Sequence, residues 1–402
     1  ETGDPKQRFC GRGGYGGVMA SKNLWAIAAE GPDPGRTRGL RDVNREINLG
    51  PGSARYRDLE GDLGGTWRTL KWMHEEQALP EFNHSPTGSD AGVALYRQTV
   101  EDGPYVVKAE GCYLCGIRCH KNVYDEDPEG TAGRFRVKVD YEPMSLLSSN
   151  LGIYDPDAAF ELIHLSDELG LDSISLGVTL GYIMEYNRRN NGGLLGGLSF
   201  GDVEGVRAAI RSAAEGRLPE LGMGAKRLSE RMGQTGYAMH SKGVEYPGFH
   251  PHVNPGFPWA LAGGHMSMRT FMLYAQEKQT DLGYWFDAIT ASGPLYLLDD
   301  LTGLCKFANA SPELEAEAVR IATGLDVTGE ELRRAALQTQ LRGYVNERRC
   351  GFEVNDYRVP DEAHGPMGDS DLEVFNTREF FQELRARVIE ALDAEAAVAG
   401  IS

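Results

Sequence analysis

The sequence predicts a mainly α-helical protein with minor β structure near its front. Three observations carry this expectation. Helix-start signatures recur beyond residue 155, apolar residues there repeat at helical spacing, and strand-like alternation is sparse. At 402 residues the chain exceeds one compact core and fits two or three domains.

The first thirty residues are Gly-rich and end in a short apolar run, Leu24-Trp25-Ala26-Ile27. Residues 31–65, rich in Gly, Pro, Arg and Asp, are expected to be loop with short helical turns. Asn83-His84-Ser85-Pro86-Thr87-Gly88 is a second loop of turn-forming residues. Arg134 through Val139 alternates as a strand does. Asp155-Pro156 is an N-cap followed by proline at the first helical position. Phe160, Ile163 and Leu169 then lie near one face, and Gly170 ends the run. Ser311-Pro312 opens a helix in the same way, and Thr328 with Glu331 forms a capping box. The last helix is expected to start near Asn376, with Glu379 at the box position and Phe380, Phe381, Leu384, Val388 and Leu392 as its core stripe.

Charge and composition exclude several classes. Lys and Arg total 41 against 59 Asp and Glu, a net charge of −18 that repels nucleic-acid backbones. No stretch approaches ~20 uninterrupted apolar residues, so no membrane span is expected. Glu1-Thr2-Gly3-Asp4-Pro5 has neither the basic nor the apolar region of a signal peptide, and a cytoplasmic location is expected.

The sharpest local signal is Gly111-Cys112-Tyr113-Leu114-Cys115-Gly116-Ile117-Arg118-Cys119, spaced C-x2-C-x3-C. A chain this long needs no disulfide staples, so three of its six cysteines within eight residues read as metal ligands in a reducing compartment. Iron–sulfur clusters need soft thiolates converging from a tight loop. Three ligands leave one iron corner for a distant cysteine: Cys305 or Cys350 downstream, or Cys10 upstream. Zinc sites favour paired C-x2-C knuckles, and only one such pair exists here. S-adenosylmethionine radical enzymes carry the reversed order, C-x3-C-x2-C.

Two motifs echo each other: Asp167-Glu168-Leu169-Gly170-Leu171-Asp172 and Asp300-Leu301-Thr302-Gly303-Leu304-Cys305 share D-x-x-G-L-(D/C). Each places a carboxylate one turn before a helix-ending glycine. Such a turn can offer a carboxylate and backbone N–H groups to a nitrogen-rich, phosphate-bearing ligand.

These two motifs together with C-x2-C-x3-C resemble the aldehyde ferredoxin oxidoreductase family. Cys10 through Leu24 is similar to the glycine-rich segment that closes the family's first domain. Leu79-Pro80 with Asn83, Asp172-Ser173-Ile174-Ser175, Leu198-Ser199-Phe200-Gly201-Asp202 and His240-Ser241-Lys242-Gly243 match in order. The resemblance implies the family's C-terminal helical domains with a remnant of its N-terminal β-containing domain. Residues 1–35 would be the tail of the metallopterin-binding domain. Residues 36–240 would form a helical domain with the cysteine cluster and first motif, and 241–402 another with the second motif and fourth cysteine. Cys112, Cys115, Cys119 and Cys305 would hold a [4Fe–4S] cluster. Asp167, Gly170, Leu171, Asp172, Asp300, Gly303 and Leu304 would contact two pterins chelating tungsten or molybdenum. Arg12, Gly13 and Lys22 would sit near pterin phosphates. Glu142, Glu161 and His265 would move protons.

The implied activity is oxidation of aldehydes to carboxylic acids, with electrons passed to ferredoxin or an iron–sulfur subunit. A preceding domain or separate subunit would complete the cage. His265 is displaced from the family's usual Arg-Gly-x-x-His-like segment, and Cys10 precedes the glycine run. Both features lean towards the tungsten subunit of class II benzoyl-CoA reductases, which reduce an aromatic thioester. Trp259, Met266 and Met268 would suit the apolar slot such a substrate needs. A third reading is an electron-transfer subunit without pterin. Gly11-x-Gly13-x-x-Gly16 fits a dinucleotide fingerprint, but no strand precedes it.

Overall fold

The computed structural model describes residues 12, 14–28, 30–31, 38–59, 63–85, 88–112, 115–261, 281–364 and 377–401. Cys10, Gly13, His265, Met266, Met268 and Asn376 lie outside the described residues. The fold is mainly helical, as the sequence predicts.

A short helix α1 (Tyr15–Ser21) precedes α2 (Arg38–Leu49), α3 (Arg68–Glu75) and α4 (Arg97–Glu101). α1 buries no side chain, and the apolar run after it is exposed: Leu24 by 44%, Trp25 by 84% and Ile27 by 79%. α2 corrects the loop expected over 31–65. Its apolar content is small, but Val43 and Ile47 stand one turn apart on one face and are both buried. They join a satellite core with Leu314, Ala318 and Ile321 of a later helix.

Next comes an antiparallel sheet in the order β1 (Tyr105–Glu110), β2 (His120–Glu126), β3 (Ala132–Val139). Val107 pairs with Val123, which pairs with Val137. The cysteine loop is the β1–β2 connection. β3 contains the alternating run expected as a strand, and it packs against α6 (Pro156–Glu168). Between them lies α5 (Tyr141–Leu146). Asp155 caps α6 by accepting from Asp157 N. α7 (Ser173–Asn190) is buried continuously from Leu176 to Glu185. A side chain at Gly177 would meet the Leu146 carbonyl oxygen at 2.5 Å, so glycine there lets α7 lie directly on α5. α8 (Val203–Ala214) and α9 (Pro219–Met232) complete this half, followed by a two-strand hairpin, β4 (His240–Ser241) and β5 (Val244–Glu245).

The remainder is helical: α10 (Leu282–Asp287), α11 (Leu297–Thr302), α12 (Pro312–Thr323), α13 (Gly329–Arg349) and α14 (Arg378–Val398). Ser311 caps α12 through Leu314 N, and the Thr328–Glu331 capping box is complete in both directions. α14 is capped by Thr377, one residue later than expected, because its hydroxyl accepts from Phe380 N. The main buried cluster runs from Trp67 through Tyr246 and Trp285 to Leu392, so apolar packing is continuous across residue 240. No helix among the described residues is long and apolar enough to cross a membrane.

The α2 face gives a test of fold. Ile47→Ala should cost about 2–5 kcal/mol in urea unfolding, because it empties a buried site. Arg45→Ala, on the exposed side of α2, should stay within about 0.5 kcal/mol of the parent.

Candidate metal centre

The cysteine loop is fixed from several directions. Cys115 N donates to Cys112 O at 3.0 Å, closing a turn inside the loop. Asn48 Oδ1, at the end of α2, accepts from Gly116 N at 2.8 Å. Arg118 takes a left-handed φ of 50°, and Lys121 Nζ donates to its carbonyl at 3.0 Å. Ile117 and Cys119 are buried beside Val43, Ile47 and Ala308, with Cys115, Leu304 and Phe307 packed against them. The segment after α11 therefore closes directly on the cysteine loop. Tyr56 stacks on Phe307 at 4.1 Å between ring centroids.

Cys305 joins this group. Desolvation raises its thiol pKa although the residue is exposed. A backbone hydrogen bond at Phe307 lowers it, and Cys115, Asp299 and Cys112 raise it again. Cys112 and Cys305 are exposed, Cys115 is partly buried and Cys119 is buried, and none of the four is in a disulfide. Cys350 instead caps the far end of α13, where it is exposed. Among the described residues no three His, Cys, Asp or Glu side chains converge tightly enough for a metal ion. A cubane offers four iron corners rather than one centre, so its thiolates stand further apart than ligands of a single ion. The donor set of four soft thiols on two packed segments fits such a cluster.

The sequence reading missed several neighbours. His120 is buried, with Nε2 at 3.8 Å from Cys112 Sγ. Lys121 is fully buried and pairs with Asp58 at 3.1 Å. Near Cys305, burial pushes the Asp299 carboxyl up to about 7, helped by Glu315 and Asp300 and opposed by Lys306. Glu315 is buried and accepts from Thr302 Oγ1 at 2.8 Å. The position of His120 directly after Cys119 is a signal the sequence does carry, whereas buried charges such as Lys121 carry none.

The two acidic turns differ in detail. The first ends α6 with Leu171 N bonded to Ser166 O and Gly170 N to Asp167 O. Those two N–H groups are spent within the helix end, which corrects the expectation that they face a ligand. Asp167 remains available, 21% exposed and 3.5 Å from Lys138 Nζ. Burial raises its pKa, Lys138 and His164 lower it, and Asp140 raises it. Asp172 is committed elsewhere. Its Oδ1 caps α7 at Ile174 N and Ser175 N, and its Oδ2 accepts from Arg12 Nε at 3.0 Å. In the second turn Asp300 is 49% exposed and accepts from Lys306 Nζ at 2.7 Å. Gly170 and Gly303 both have positive φ, and a side chain at either would meet nothing within 4 Å. Open space therefore lies in front of both turns, which fits a flat ligand laid against them.

Arg12 forms a junction rather than a free cation. Besides Asp172 it donates to Glu245 O at 2.9 Å and Ser175 Oγ at 3.2 Å. Lys22 is exposed just after α1. Glu142 stands partly buried at the start of α5. Burial pushes its carboxyl up to about 7, with its own backbone N–H lowering it, Asp140 raising it and Arg12 lowering it. Glu161 is different: it is 47% exposed, and both its oxygens bind Arg207 of α8 at 2.6 Å. That makes it a surface ion-pair residue and corrects its assignment as a proton carrier. Trp259 is 3% exposed, and its indole nitrogen has no hydrogen-bond partner.

The backbone defines a fold class of mainly helical chains with one small antiparallel sheet beside the cysteine loop. It superimposes on a chain of the active site complex BamBC of benzoyl coenzyme A reductase with 1,5-dienoyl-CoA. The TM-score is 0.64 over 97% of this chain and 71% of that one, at 15% identity. Sequence then supplies the family. The family model for aldehyde ferredoxin oxidoreductase, domains 2 and 3, matches residues 45–391, and the chain belongs to that family. It is 31% identical over 363 residues to the tungsten-containing aldehyde ferredoxin oxidoreductase of Pyrococcus furiosus, covering 81% of this chain and 56% of the other. The corresponding Pyrococcus abyssi protein is 31% identical over 276 residues, covering 62% of this chain and 42% of the other. An aliphatic sulfonate oxidoreductase, WOR-like subunit, from Pyrococcus furiosus is 28% identical over 257 residues, covering 58% and 39%. The chain thus spans about half the length of the relatives it matches.

The carboxyl of Glu142 yields a pH test. Its folded pKa of about 7 lies above its ordinary 4.5. The native state therefore holds the extra proton across that window, and the stability it contributes is full below 4.5 and lost as pH rises through 7. Glu142→Gln should remove this slope from pH-dependent unfolding curves. In the native protein Asp140→Asn should lower the Glu142 pKa and Arg12→Met should raise it, as read by carboxyl NMR titration.

Proposed function

We propose that this chain is the helical body of a tungsten- or molybdenum-pterin oxidoreductase with one [4Fe–4S] cluster, oxidising aldehydes to carboxylic acids. The observation that carries this is the closure of the Cys305 segment on the Cys112–Cys119 loop. It sits directly after an acidic glycine turn that echoes a second one at the end of α6. Family membership supports the same reading. Cys112, Cys115, Cys119 and Cys305 would hold the cluster, with ferredoxin or an iron–sulfur subunit as electron acceptor. When bound, the metallopterin supplies two-electron exchange with substrate and the cluster supplies single-electron relay.

The chain's own groups bind, orient and move protons. Asp167 and Asp300 would accept N–H bonds from the pterins across the open turns, and Lys22 would face a phosphate. Arg12 ties the glycine-rich segment to α7 and β5 and holds that wall in place. Oxidising an aldehyde to an acid takes up water and releases two electrons and two protons. A carboxyl with a pKa near neutrality can take one of those protons and release it again. Glu142 fills that role at its Oε atoms, and His265 is proposed as a second carrier on resemblance. Domain boundaries near residues 35 and 240 are proposed on the same ground.

A second reading, reduction of an aromatic thioester, is favoured by Trp259. It lies in the buried Phe257–Trp259 turn with an unpartnered indole N–H. It can wall an apolar slot and still donate to a polar ligand atom.

Metal analysis and electron paramagnetic resonance of the anaerobically purified full protein test the proposal. About four iron atoms and one tungsten or molybdenum per chain are expected. Iron without either heavy metal would point to a relay subunit. Cys305→Ser should abolish or alter the cluster signal, and Cys350→Ser should leave it unchanged. Turnover of simple aldehydes without aromatic thioesters supports the first substrate class, and the reverse pattern supports the second.

A further inference from the structure

A cysteine loop that holds a redox centre needs a rigid backbone and a defined local charge. The loop's C-terminal end supplies both through a side chain outside the cysteine motif. Lys121, the second residue of β2, is 0% exposed. Its Nζ donates to the Arg118 carbonyl at 3.0 Å, the residue with φ of 50°. A non-glycine residue in that region costs free energy unless its surroundings hold it there. The Lys121 stem runs beside Cys119. A side chain added at Gly65 would strike Cys119 O and Lys121 Cε, both at 2.7 Å.

A buried ammonium needs a counter-ion. Asp58 supplies it, with Oδ1 at 3.1 Å from Lys121 Nζ. Asp58 is held in turn by Arg97, 4% exposed, through Nη1 at 2.8 Å and Nη2 at 3.1 Å. Arg97 Nε reaches Glu101 at 2.9 Å. The carboxylates lie on the solvent side, with Asp58 31% and Glu101 28% exposed, whereas the Lys121 ammonium lies under the loop. Water screens the more exposed negative charges better than the buried positive one.

We propose that Lys121, held by Asp58 and Arg97, is a positioning residue that locks the loop's left-handed turn and raises the reduction potential of the cluster. This rests on the reading that Cys112, Cys115, Cys119 and Cys305 carry a [4Fe–4S] centre. A fixed positive charge beside one thiolate favours the electron-rich state, and a backbone clamp at Arg118 fixes where Cys119 points.

The test is a redox titration of the cluster's paramagnetic signal in the full protein, purified anaerobically, with iron counted in parallel. Lys121→Gln keeps a donor but loses the charge, and its midpoint should move to a more negative potential. Lys121→Arg keeps the charge, and its midpoint should stay near that of the parent. Asp58→Asn removes the counter-charge, and its midpoint should move the opposite way, to a more positive potential. A structural role alone would change iron content without opposite-signed shifts. If Lys121→Gln loses iron, Asp58→Asn decides: an upward shift supports the assignment and an unchanged midpoint overturns it. A parent protein with no cluster signal overturns the cluster reading itself. A parent signal whose midpoint is unmoved in both Lys121→Gln and Asp58→Asn overturns the Lys121 assignment alone.

Discussion

The contact on which the rest depends is the packing of the segment after α11 onto the β1–β2 loop. Residues 119 and 305 are separated by the helices α5 to α11, and all of those must fold to bring them together. The contact is small: Cys115, Cys119, Leu304, Phe307 and Ala308, braced by Val43 and Ile47 of α2. It is a satellite of the main core rather than part of it. Its geometry is set by the larger cluster running from Trp67 to Leu392. Loop closure over such a span is entropically slow to form, so this contact is expected to come late in folding.

The protein also buries charges that composition would place on the surface, some beside that contact and some further off. Lys121, Arg97, Glu245 and Glu315 are each buried to within a few per cent. Each is paired or hydrogen-bonded: Lys121 with Asp58, Arg97 with Asp58 and Glu101, Glu245 with Ser175 and Ala225 N, Glu315 with Thr302. Breaking one partner of such a pair leaves an uncompensated charge, which costs far more than a neutral core residue would. These networks hold segments distant in sequence in one arrangement, the glycine-rich front among them through Arg12.

What could be read from the sequence was local. Asp155, Ser311 and Thr328 declare helix starts because a cap needs only its own next three residues. The cysteine spacing declares a ligand loop for the same reason. α2 escaped because its core face has just two buried apolar residues amid Arg, Asp and Glu, and Gly and Pro flank it. The family resemblance implies a ligand contact for Asp172, yet its place before Ser173-Ile174-Ser175 is that of an N-cap, and the structure uses it so. Glu161 could not be resolved from sequence. Its partner Arg207 lies on another helix, and only tertiary packing brings the two together. Lys121 escaped for the same reason, since its counter-ion Asp58 comes from a distant loop.

The exposed run after α1 has an optical consequence. Of the five tryptophans, Trp67, Trp259 and Trp285 are buried, Trp72 is partly buried, and Trp25 is 84% exposed. Trp25 therefore contributes the red, solvent-relaxed edge of the emission spectrum, and a soluble quencher would reach it before the others. Any polypeptide or ligand that covers the segment around Leu24 and Ile27 would shift that edge to the blue while leaving the buried indoles unchanged. The protein thus carries its own fluorescent reporter on an apolar stretch that stands exposed among the described residues.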